Sequence, residues 1–510
     1  MSGPGRVYLI GAGPGDPQLI TMRGVQLIGQ ADVIVYDRNV EAALRWASPD
    51  AEKIAAGAPA ETSTAQDALS MLLAEKAREG HVVARVKWGD PFVFDSGGKE
   101  AMFLHEQGVP FEVVPGVPLA IGATAYAGVP LSYPGAGDTI VLVRGYEDEH
   151  DSLPEADWNA IARLDGTFVC YAGGRQVPRV LSLLIEHGAA PETSAAVIYR
   201  GTQADQQTRT GTIGALAVTL ESETSNPPAI LVVGSVTRLR DHLRWFDERP
   251  LFGRRIVVTR SAEQAHGLTD ALEALGAEIL EAPTFRLSPP EDPEAVERAT
   301  ASIDQYGWVV FESANSVLRF LSALRRGPRD LRAFGQVAIC AMGPSTADQL
   351  LQHGLKADVI VPEQASDPVG EALDAHAPLA GQRVLIVRPD HQRDTLADDL
   401  RHRGAAVTDL VAYRTASATA ESPEVQDLYR RFLDGAVDAV TFTSATAVTR
   451  LAELLGEEQA ADLLNTTVIA AIGPVTAAAA RAHGIHTAIV ADTYTVDGLV
   501  DAMVRHFNVK

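Results

Sequence analysis

The sequence predicts an α/β protein in two halves: a front half of two α/β subdomains, then a two-lobed rear half that is internally duplicated. Three observations carry this. Short apolar strands alternate with helical segments along the 510 residues, the pattern of sheets covered by helices. The rear half repeats itself, since Gly343-Pro344-Ser345-Thr346-Ala347 returns as Gly473-Pro474-Val475-Thr476-Ala477. Around that core, VVFESANSVLRFL recurs as AVTFTSATAVTRL, and RIVVTR as RVLIVR, at a spacing far beyond the roughly 20 to 50 residues of solenoid repeats. The joint DHLRWFDERPLFGRR, with Pro250 and Gly253 ahead of a fresh apolar run, separates the halves.

In the front half, strand Val7–Ile10, a glycine turn, a helix near Leu19–Gln30 and strand Val33–Tyr36 predict the start of a parallel sheet. Further apolar strands follow at Val82–Val86, Phe111–Val114, Ile140–Val143, Thr167–Tyr171, Ala196–Tyr199 and Ala229–Val233. The glycine- and proline-punctuated stretch Pro115–Pro134 joins two subdomains, about 1–115 and 120–246. A linker at 247–253 leads to the second domain, 254–510. That domain opens on strand Ile256–Thr259, and two extended segments, Pro283–Leu287 and Leu410–Thr415, stand in similar positions in its two copies. They read as connectors between lobe one, about 254–284 plus 416–510, and lobe two, about 288–410.

Composition narrows the function. A net charge of −23, from 66 acidic against 43 basic residues, argues against nucleic acid or an anionic membrane as partner. An anionic small molecule stays open, because a local arginine cluster works inside an acidic protein. Cys170 and Cys340 stand far apart with no zinc-ligand spacing, so neither a metal site nor a disulfide framework is expected. The first strand follows MSGPGR directly, without a basic and then apolar leader, and the expectation is a cytoplasmic protein.

The turn Gly11-Ala12-Gly13-Pro14-Gly15-Asp16-Pro17 invites a dinucleotide reading, with Asp37 as the ribose acid. Its details oppose that reading. Asp16 replaces the third glycine and would face a pyrophosphate, and Pro14 removes an N–H donor. The loop suits a ligand with a sulfonium and a carboxylate, such as S-adenosylmethionine; the alternative is a tight strand-to-helix turn with no ligand.

GAGPGDPQLITMRG, ADVIVYDRNV, GDPFVF, VPGVPLAIGATAYAGVPLS and NPPAILVVGSVTRLRDHLRWF, in that order, resemble uroporphyrinogen-III C-methyltransferases of the tetrapyrrole methylase family over nearly all of residues 5 to 246. The resemblance implies S-adenosylmethionine in a cleft between two subdomains of a homodimer, and methylation of uroporphyrinogen III at C2 and C7 to precorrin-2. It also implies cofactor contacts from Gly11, Gly13, Pro14, Gly15, Gly89, Asp90, Val93, Phe94 and Ala172, with Asp37 as the catalytic carboxylate assisting proton removal. Departures are plain. Trp88 and Ser96 stand where the family has glycine and arginine, Ala172 replaces a methionine, Tyr133-Pro134 replaces His-Arg, and residues 55–62 lack the usual Lys, Arg and His. Each lost cation removes a charge-assisted bond of about 1.5 to 3 kcal/mol to a polycarboxylate substrate. Trp88 is expected to fill part of the donor pocket, which leaves a synthase-only protein with a structural front half as the alternative.

In the rear half, VVTR, FESAN, AMGPSTA, VLIVRP, DLVAYRT, VTFTSATAV and AIGPVTA resemble uroporphyrinogen-III synthase over residues 253 to 507. That family cyclises hydroxymethylbilane with inversion of ring D, through an azafulvene and a spiro intermediate, without a cofactor. The resemblance implies substrate contacts at Arg260, Ser313, Asn315, Gly343, Ser345, Thr346, Arg388, Thr443, Ser444, Gly473 and Thr476, and a role for Tyr413 in departure of the hydroxyl. Turns opening helices suit carboxylates, since their amides carry no bulky side chain. Other readings stand beside these: ring packing for Tyr413, a surface ion pair for Arg260 and Arg388, and helix capping for Thr346 and Thr476. His353, His402 and His483, at polar helix ends, read as solvated.

Overall fold

The structure is a computed structural model describing residues 5–48, 51–56, 63–145, 153, 155–222, 227–259, 262–282, 285–361, 367–390, 395–417 and 419–508. The predicted α/β class is borne out as four sheets with helices between them.

The first sheet runs Glu52–Ala55, Val33–Tyr36, Val82–Lys87, Arg6–Gly11, Phe111–Val114 in spatial order and is parallel throughout. Its strands are apolar on both faces because helices cover both: Val7 and Leu9 enter one core, Tyr8 and Ile10 the other. Thr21 sets the first helix, Met22–Gln30, by accepting from the Gly24 amide at 3.1 Å. That helix starts later than the sequence suggested, since Pro17–Leu19 forms a separate 3₁₀ turn.

The second sheet runs Thr139–Arg144, Gly166–Gly173, Pro228–Val233, Ser194–Tyr199, Gln207–Thr212 and is mixed. Only its first pair is parallel; the other three are antiparallel. This corrects the expectation of a parallel sheet through the whole block. Between Tyr199 and Gln207 the chain has only a short turn, and a parallel crossover needs about a dozen residues or more.

The third sheet runs Glu278–Glu281, Arg255–Val258, Ala439–Phe442, Val468–Ala471, Ile489–Val490. The fourth runs Phe285–Ser288, Ala406–Ser417, Arg383–Pro389, Trp308–Phe311, Ala338–Met342, Val359–Val361. Remove the edge strand Phe285–Ser288 and the fourth sheet has the strand order of the third, which is the duplication written as topology. That edge strand pairs antiparallel with Ala406–Ser417, Leu287 opposite Thr415, so the two connector segments form one ladder. In the third sheet Thr259 and Thr441 exchange buried hydroxyl bonds with each other's strands, Thr259 Oγ1 to the Thr441 carbonyl at 2.9 Å and Thr441 Oγ1 to the Val257 carbonyl at 3.1 Å.

The chain divides into two compact units, residues 1–256 with 268–279 and 496–510, and residues 257–267 with 280–495. Among the described residues no helix is long and apolar enough to cross a membrane.

Candidate functional sites

In the front unit, the loops that follow three adjacent strands of the first sheet meet at the strands' carboxyl ends, where open α/β sheets bind ligands. Gly13 and Gly89 exchange two backbone hydrogen bonds, at 3.2 and 2.8 Å, and both adopt positive φ, 84° and 70°. A Cβ on Gly11 would lie 2.5 Å from the Gly116 nitrogen and 2.6 Å from the Gly89 carbonyl. Glycine is therefore demanded by the close approach of three main chains. Pro14 sits against Gly122, where a Cβ would strike its ring.

Asp16, the residue that spoils the dinucleotide motif, is fully engaged in holding this loop. Its Oδ1 accepts from the Gln18 amide at 2.8 Å, its Oδ2 from the Tyr126 hydroxyl at 2.7 Å, and its own amide donates to Thr202 Oγ1 at 3.1 Å. Burial, then Asp16 itself, pushes the Tyr126 hydroxyl far up, so it stays a donor. Asp90 likewise braces the main chain, accepting from Phe92 at 2.8 Å and Gly116 at 3.0 Å. Val93 follows in the same turn, its amide donating to the Asp90 carbonyl. Phe94 has φ 56° and stands edge-on to Tyr171 at 5.1 Å, and Tyr171 Oη accepts from the Ala120 amide. Ala172 is buried in strand Gly166–Gly173. Trp88 packs against the core of the first sheet, and its Nε1 donates to the Pro14 carbonyl at 2.9 Å. The indole thus braces the glycine turn.

Asp37 ends the strand Val33–Tyr36 and is gripped by a charge cluster that sequence reasoning missed. Arg85 and Lys87, two apart on strand Val82–Lys87 and so on one face, are both buried. Arg85 Nη2 reaches Asp37 Oδ1 at 2.5 Å; Lys87 Nζ stands 3.0 Å from Asp95, 3.1 Å from Glu100 and 2.9 Å from Ser96 Oγ. Glu100 is fully buried; burial alone would raise its pKa, yet Arg85 and Lys87 together hold it below the usual range. Asp95 goes the other way, raised chiefly by burial against the pull of Lys87. The signal was available: two cations inside the apolar run VVARVK.

In the rear unit the repeated strand ends carry matched caps. Ser313 opens helix Ala314–Arg326 with φ −155° and ψ 160°, its Oγ accepting from the Ser316 amide. Ser444 opens helix Ala445–Leu455 with φ −156° and ψ 158°, accepting from the Ala447 amide. The glycine turns diverge: Gly343 has φ 85°, whereas Gly473 is extended at −173°. Those glycines occupy the caps of helices Pro344–Gln352 and Pro474–Ala482, so Thr346 and Thr476 lie inside the first turn and do not cap. Both threonines are buried, and Thr346 Oγ1 and Asn315 Oδ1 lack a hydrogen-bond partner among the described residues. Ser345 and Ser444 are exposed, and Thr443 is half-buried.

Tyr413 lies within strand Ala406–Ser417, its ring in the core beside Phe311 and Phe320 and its hydroxyl 3.0 Å from Ser313 Oγ. Ring packing and contact with a site serine therefore coexist. Arg388 is buried and holds Asp409 with two bonds, Nε at 2.6 Å and Nη2 at 2.7 Å, a partly buried pair in place of the surface pair considered from sequence. Arg260 and most of residues 55–62 lie outside the described residues. His353, His402 and His483 have ring partners in Arg325, the Asp398 carbonyl and Thr449 respectively.

In the fourth sheet Ser313, Asn315, Gly343, Ser345, Thr346, Arg388 and Tyr413 gather at the carboxyl ends of neighbouring strands; in the third, Thr443, Ser444, Gly473 and Thr476 do the same. One member was missed. Glu312, beside Ser313, is buried and takes the place that Thr443 holds in the other copy.

The tetrapyrrole (corrin/porphyrin) methylase family model matches residues 6–217, and the uroporphyrinogen-III synthase HemD model matches residues 267–501. The porphyrin biosynthesis protein HemD of Ruminiclostridium josui is 32% identical over 513 residues, covering 98% of this chain and 98% of its own. The uroporphyrinogen-III C-methyltransferase of Bacillus subtilis is 33% identical over 361 residues, 70% of this chain and 74% of its own. Among solved structures, the uroporphyrin-III C-methyltransferase of Thermus thermophilus aligns with a TM-score of 0.40 and 35% identity, over 48% of this chain and 99% of that one.

Proposed function

The chain belongs to the family of the porphyrin biosynthesis protein HemD, with a tetrapyrrole methylase half followed by a uroporphyrinogen-III synthase half, and from that membership we propose two consecutive reactions on one chain. The rear half cyclises hydroxymethylbilane to uroporphyrinogen III with inversion of the last ring. The front half methylates that product twice to precorrin-2. The observation carrying this reading is the full-length match to a protein of porphyrin biosynthesis, together with the two family models that each match one half of this chain.

The methylase residues fit S-adenosylmethionine, because the Gly11, Gly13, Gly89 and Gly116 seam offers main chain without side chains. When bound, the sulfonium supplies an electrophilic methyl group. Asp37, bonded by Arg85 yet still part-exposed, is placed to take the proton lost from a methylated ring. Asp90 and Trp88 shape the loops that meet the donor; Pro14, Gly15, Val93, Phe94 and Ala172 complete the reading. In the rear half the serine caps, the glycine turns and Arg388 with its paired Asp409 orient a flexible polycarboxylate, and positioning is the main demand of inverted closure. No cofactor is needed there, since ionisation of a pyrrolic carbinol draws on the ring's own electrons. The reading includes a cytoplasmic homodimer paired through the methylase halves.

A coupled assay tests it. Purified protein given hydroxymethylbilane should yield isomer III in large excess over isomer I, and added S-adenosylmethionine should convert it to a doubly methylated chromophore. Isomer I alone would refute the synthase step; isomer III with no methylation would leave the front half structural.

A further inference from the structure

The two copies of the rear half agree at Phe311 and Phe442, and again at Ser313 and Ser444, whose backbone angles differ by no more than two degrees. Between them stands Glu312 in one copy and Thr443 in the other. A single position in a superposable strand end has thus acquired a titratable group in lobe two only.

Its surroundings are specific. Val309 and Phe311 enter the core that holds Tyr413, while Trp308 and Val310 enter the opposite core. Alternation therefore puts Ser313 on the Tyr413 side and Glu312 on the other. Across the sheet Ile386 lies on Glu312's side, which sets Arg388 there too, and Arg388 grips Asp409 on the next strand. The Glu312 amide donates to the Val387 carbonyl at 3.1 Å, fixing its place beside that pair. Its side chain is 8% exposed, and Oε2 is buried with no hydrogen-bond partner among the described residues. A structural carboxylate buried this deeply ordinarily has its oxygens bonded. An unbonded one at the carboxyl edge of a sheet, beside a cation already neutralised by another acid, is equipped to carry a proton.

We propose that Glu312 is the proton-transfer residue of the cyclisation, contacting the hydroxymethyl end of the linear substrate. The inference rests on the synthase reading above. The Glu312 carboxyl gives its proton to the departing hydroxyl as the C–O bond breaks; water leaves, and the pyrrole nitrogen's electron pair forms the azafulvenium C=N bond. After ring closure and reopening of the spiro carbon, the last ring loses the proton from its free α-carbon as that carbon's new bond forms. The Glu312 carboxylate takes this proton back. The balance is one substrate in, one macrocycle and one water out, with Glu312 restored. Burial pushes this carboxyl up to about 7, Arg388 opposing and Asp409 adding to the rise; these two are the charged groups that face it among the described residues. It is thus protonated at the start of a turnover near neutrality and basic enough to be reprotonated at the end.

The test is steady-state kinetics of the full chain with hydroxymethylbilane from pH 5.5 to 9, comparing wild type with Glu312→Gln, Glu312→Asp and Glu312→Thr. Wild type is expected to lose kcat as pH rises through about 7. Glu312→Gln should lower kcat by about a hundredfold or more with KM changed less than about threefold, the usual reach of a general acid, and should abolish that limb. Glu312→Asp should restore part of kcat and the limb, while Glu312→Thr, the residue of the other copy, should behave as Gln does. Near-ultraviolet circular dichroism and the methylase activity of the same preparations report folding. Glu312→Gln within about threefold of wild type, or a reduced kcat that keeps the limb, would overturn the assignment. Wild type that makes no isomer III overturns the synthase reading, and this inference with it.

Discussion

The hydroxyl of Tyr413 lies 3.0 Å from Ser313 Oγ, and the same Ser313 oxygen accepts the Ser316 amide that starts helix Ala314–Arg326. One serine thus ties a strand of the connector ladder to a helix start. Ser444 makes the equivalent cap at its own helix. The duplicated scaffold therefore presents two similar edges, of which one also gains a phenol and a carboxyl, Tyr413 and Glu312.

Tyr413→Phe keeps the ring in its core and removes only the hydroxyl. A single neutral hydrogen bond is worth about 1 kcal/mol, so the melting temperature should fall by a few degrees at most. Cyclisation kcat should fall about tenfold if the hydroxyl orients Ser313 and the leaving end of the substrate, equivalent to about 1.4 kcal/mol. Kinetics beside a thermal melt decide it, and unchanged kcat would reduce Tyr413 to packing.

Glu100 is the hub of the front cluster, fully buried against Arg85 and Lys87. Glu100→Gln removes the carboxylate that both cations share, leaving Arg85 to Asp37 and Lys87 to Asp95, and should cost about 1.5 to 3 kcal/mol. The pH dependence follows from the direction in which its acidity is moved. Glu100's folded pKa is depressed, so its stabilisation is present above the unfolded value and lost as pH falls through the folded one. Wild type should therefore lose melting temperature in acid, below the ordinary carboxylate range, and Glu100→Gln should flatten that limb. A mutant whose acid limb matches wild type would count against the pairing.

Trp88 packs on the first sheet's core, and its indole nitrogen bonds the Pro14 carbonyl. Trp88→Phe keeps the packing and frees the turn. Loss of about 1 kcal/mol of preorganisation should weaken S-adenosylmethionine about fivefold by calorimetry. Tighter binding in Trp88→Phe would instead mark the indole as an obstruction in the donor pocket.

Much of this architecture was legible because its causes are local. Apolar runs bounded by glycine and proline marked most of the sheet strands, and the repeat announced two matching lobes. Strands were missed for physical reasons: Glu52–Ala55 and Gln207–Thr212 are polar edge strands whose pairing comes from a neighbour, and the edge strands Val359–Val361 and Ile489–Val490 are too short to carry a periodic signal. The site was half legible. Glycines demanded by close main-chain approach, as at Gly11 and Gly89, announce themselves, but the partners of Asp16, Thr202 and Tyr126, lie far along the chain. Glu312 was visible only as a mismatch between two copies otherwise alike, and its environment is made by strands that the sequence cannot bring together.

Glu312 should also leave a mark on stability. Its folded pKa is raised from the ordinary carboxylate value to about 7, so its stabilising contribution is fully present below the unfolded pKa and is lost as pH rises through about 7. Each tenfold change in acidity between the folded and unfolded chain is worth about 1.4 kcal/mol, so the ionised form costs the fold up to about 3 kcal/mol above that pH. Glu312→Gln should accordingly melt several degrees higher than wild type at pH 8 and no higher at pH 5, while losing activity at both. Equal melting temperatures at pH 8 would mean the carboxyl is not buried as the geometry has it.

Asp409 decides how far that carboxyl can be tuned. Arg388 is bonded twice to Asp409, which both cancels the guanidinium and adds its own negative charge near Glu312. Asp409→Asn removes that charge while keeping an oxygen that can accept from Arg388. The cation then faces Glu312 without a competing anion, and an opposite charge within about 4 to 6 Å makes a carboxyl about 10 to 1,000 times more acidic. The basic limb of cyclisation kcat, expected near pH 7 in wild type, should move down by about one pH unit or more in Asp409→Asn, whatever the variant's absolute rate. Arg388→Met should move the limb the other way, since Asp409 then acts alone. Limbs that stay in place in both variants would show that the titrating group lies elsewhere, whatever Glu312→Gln does to the rate.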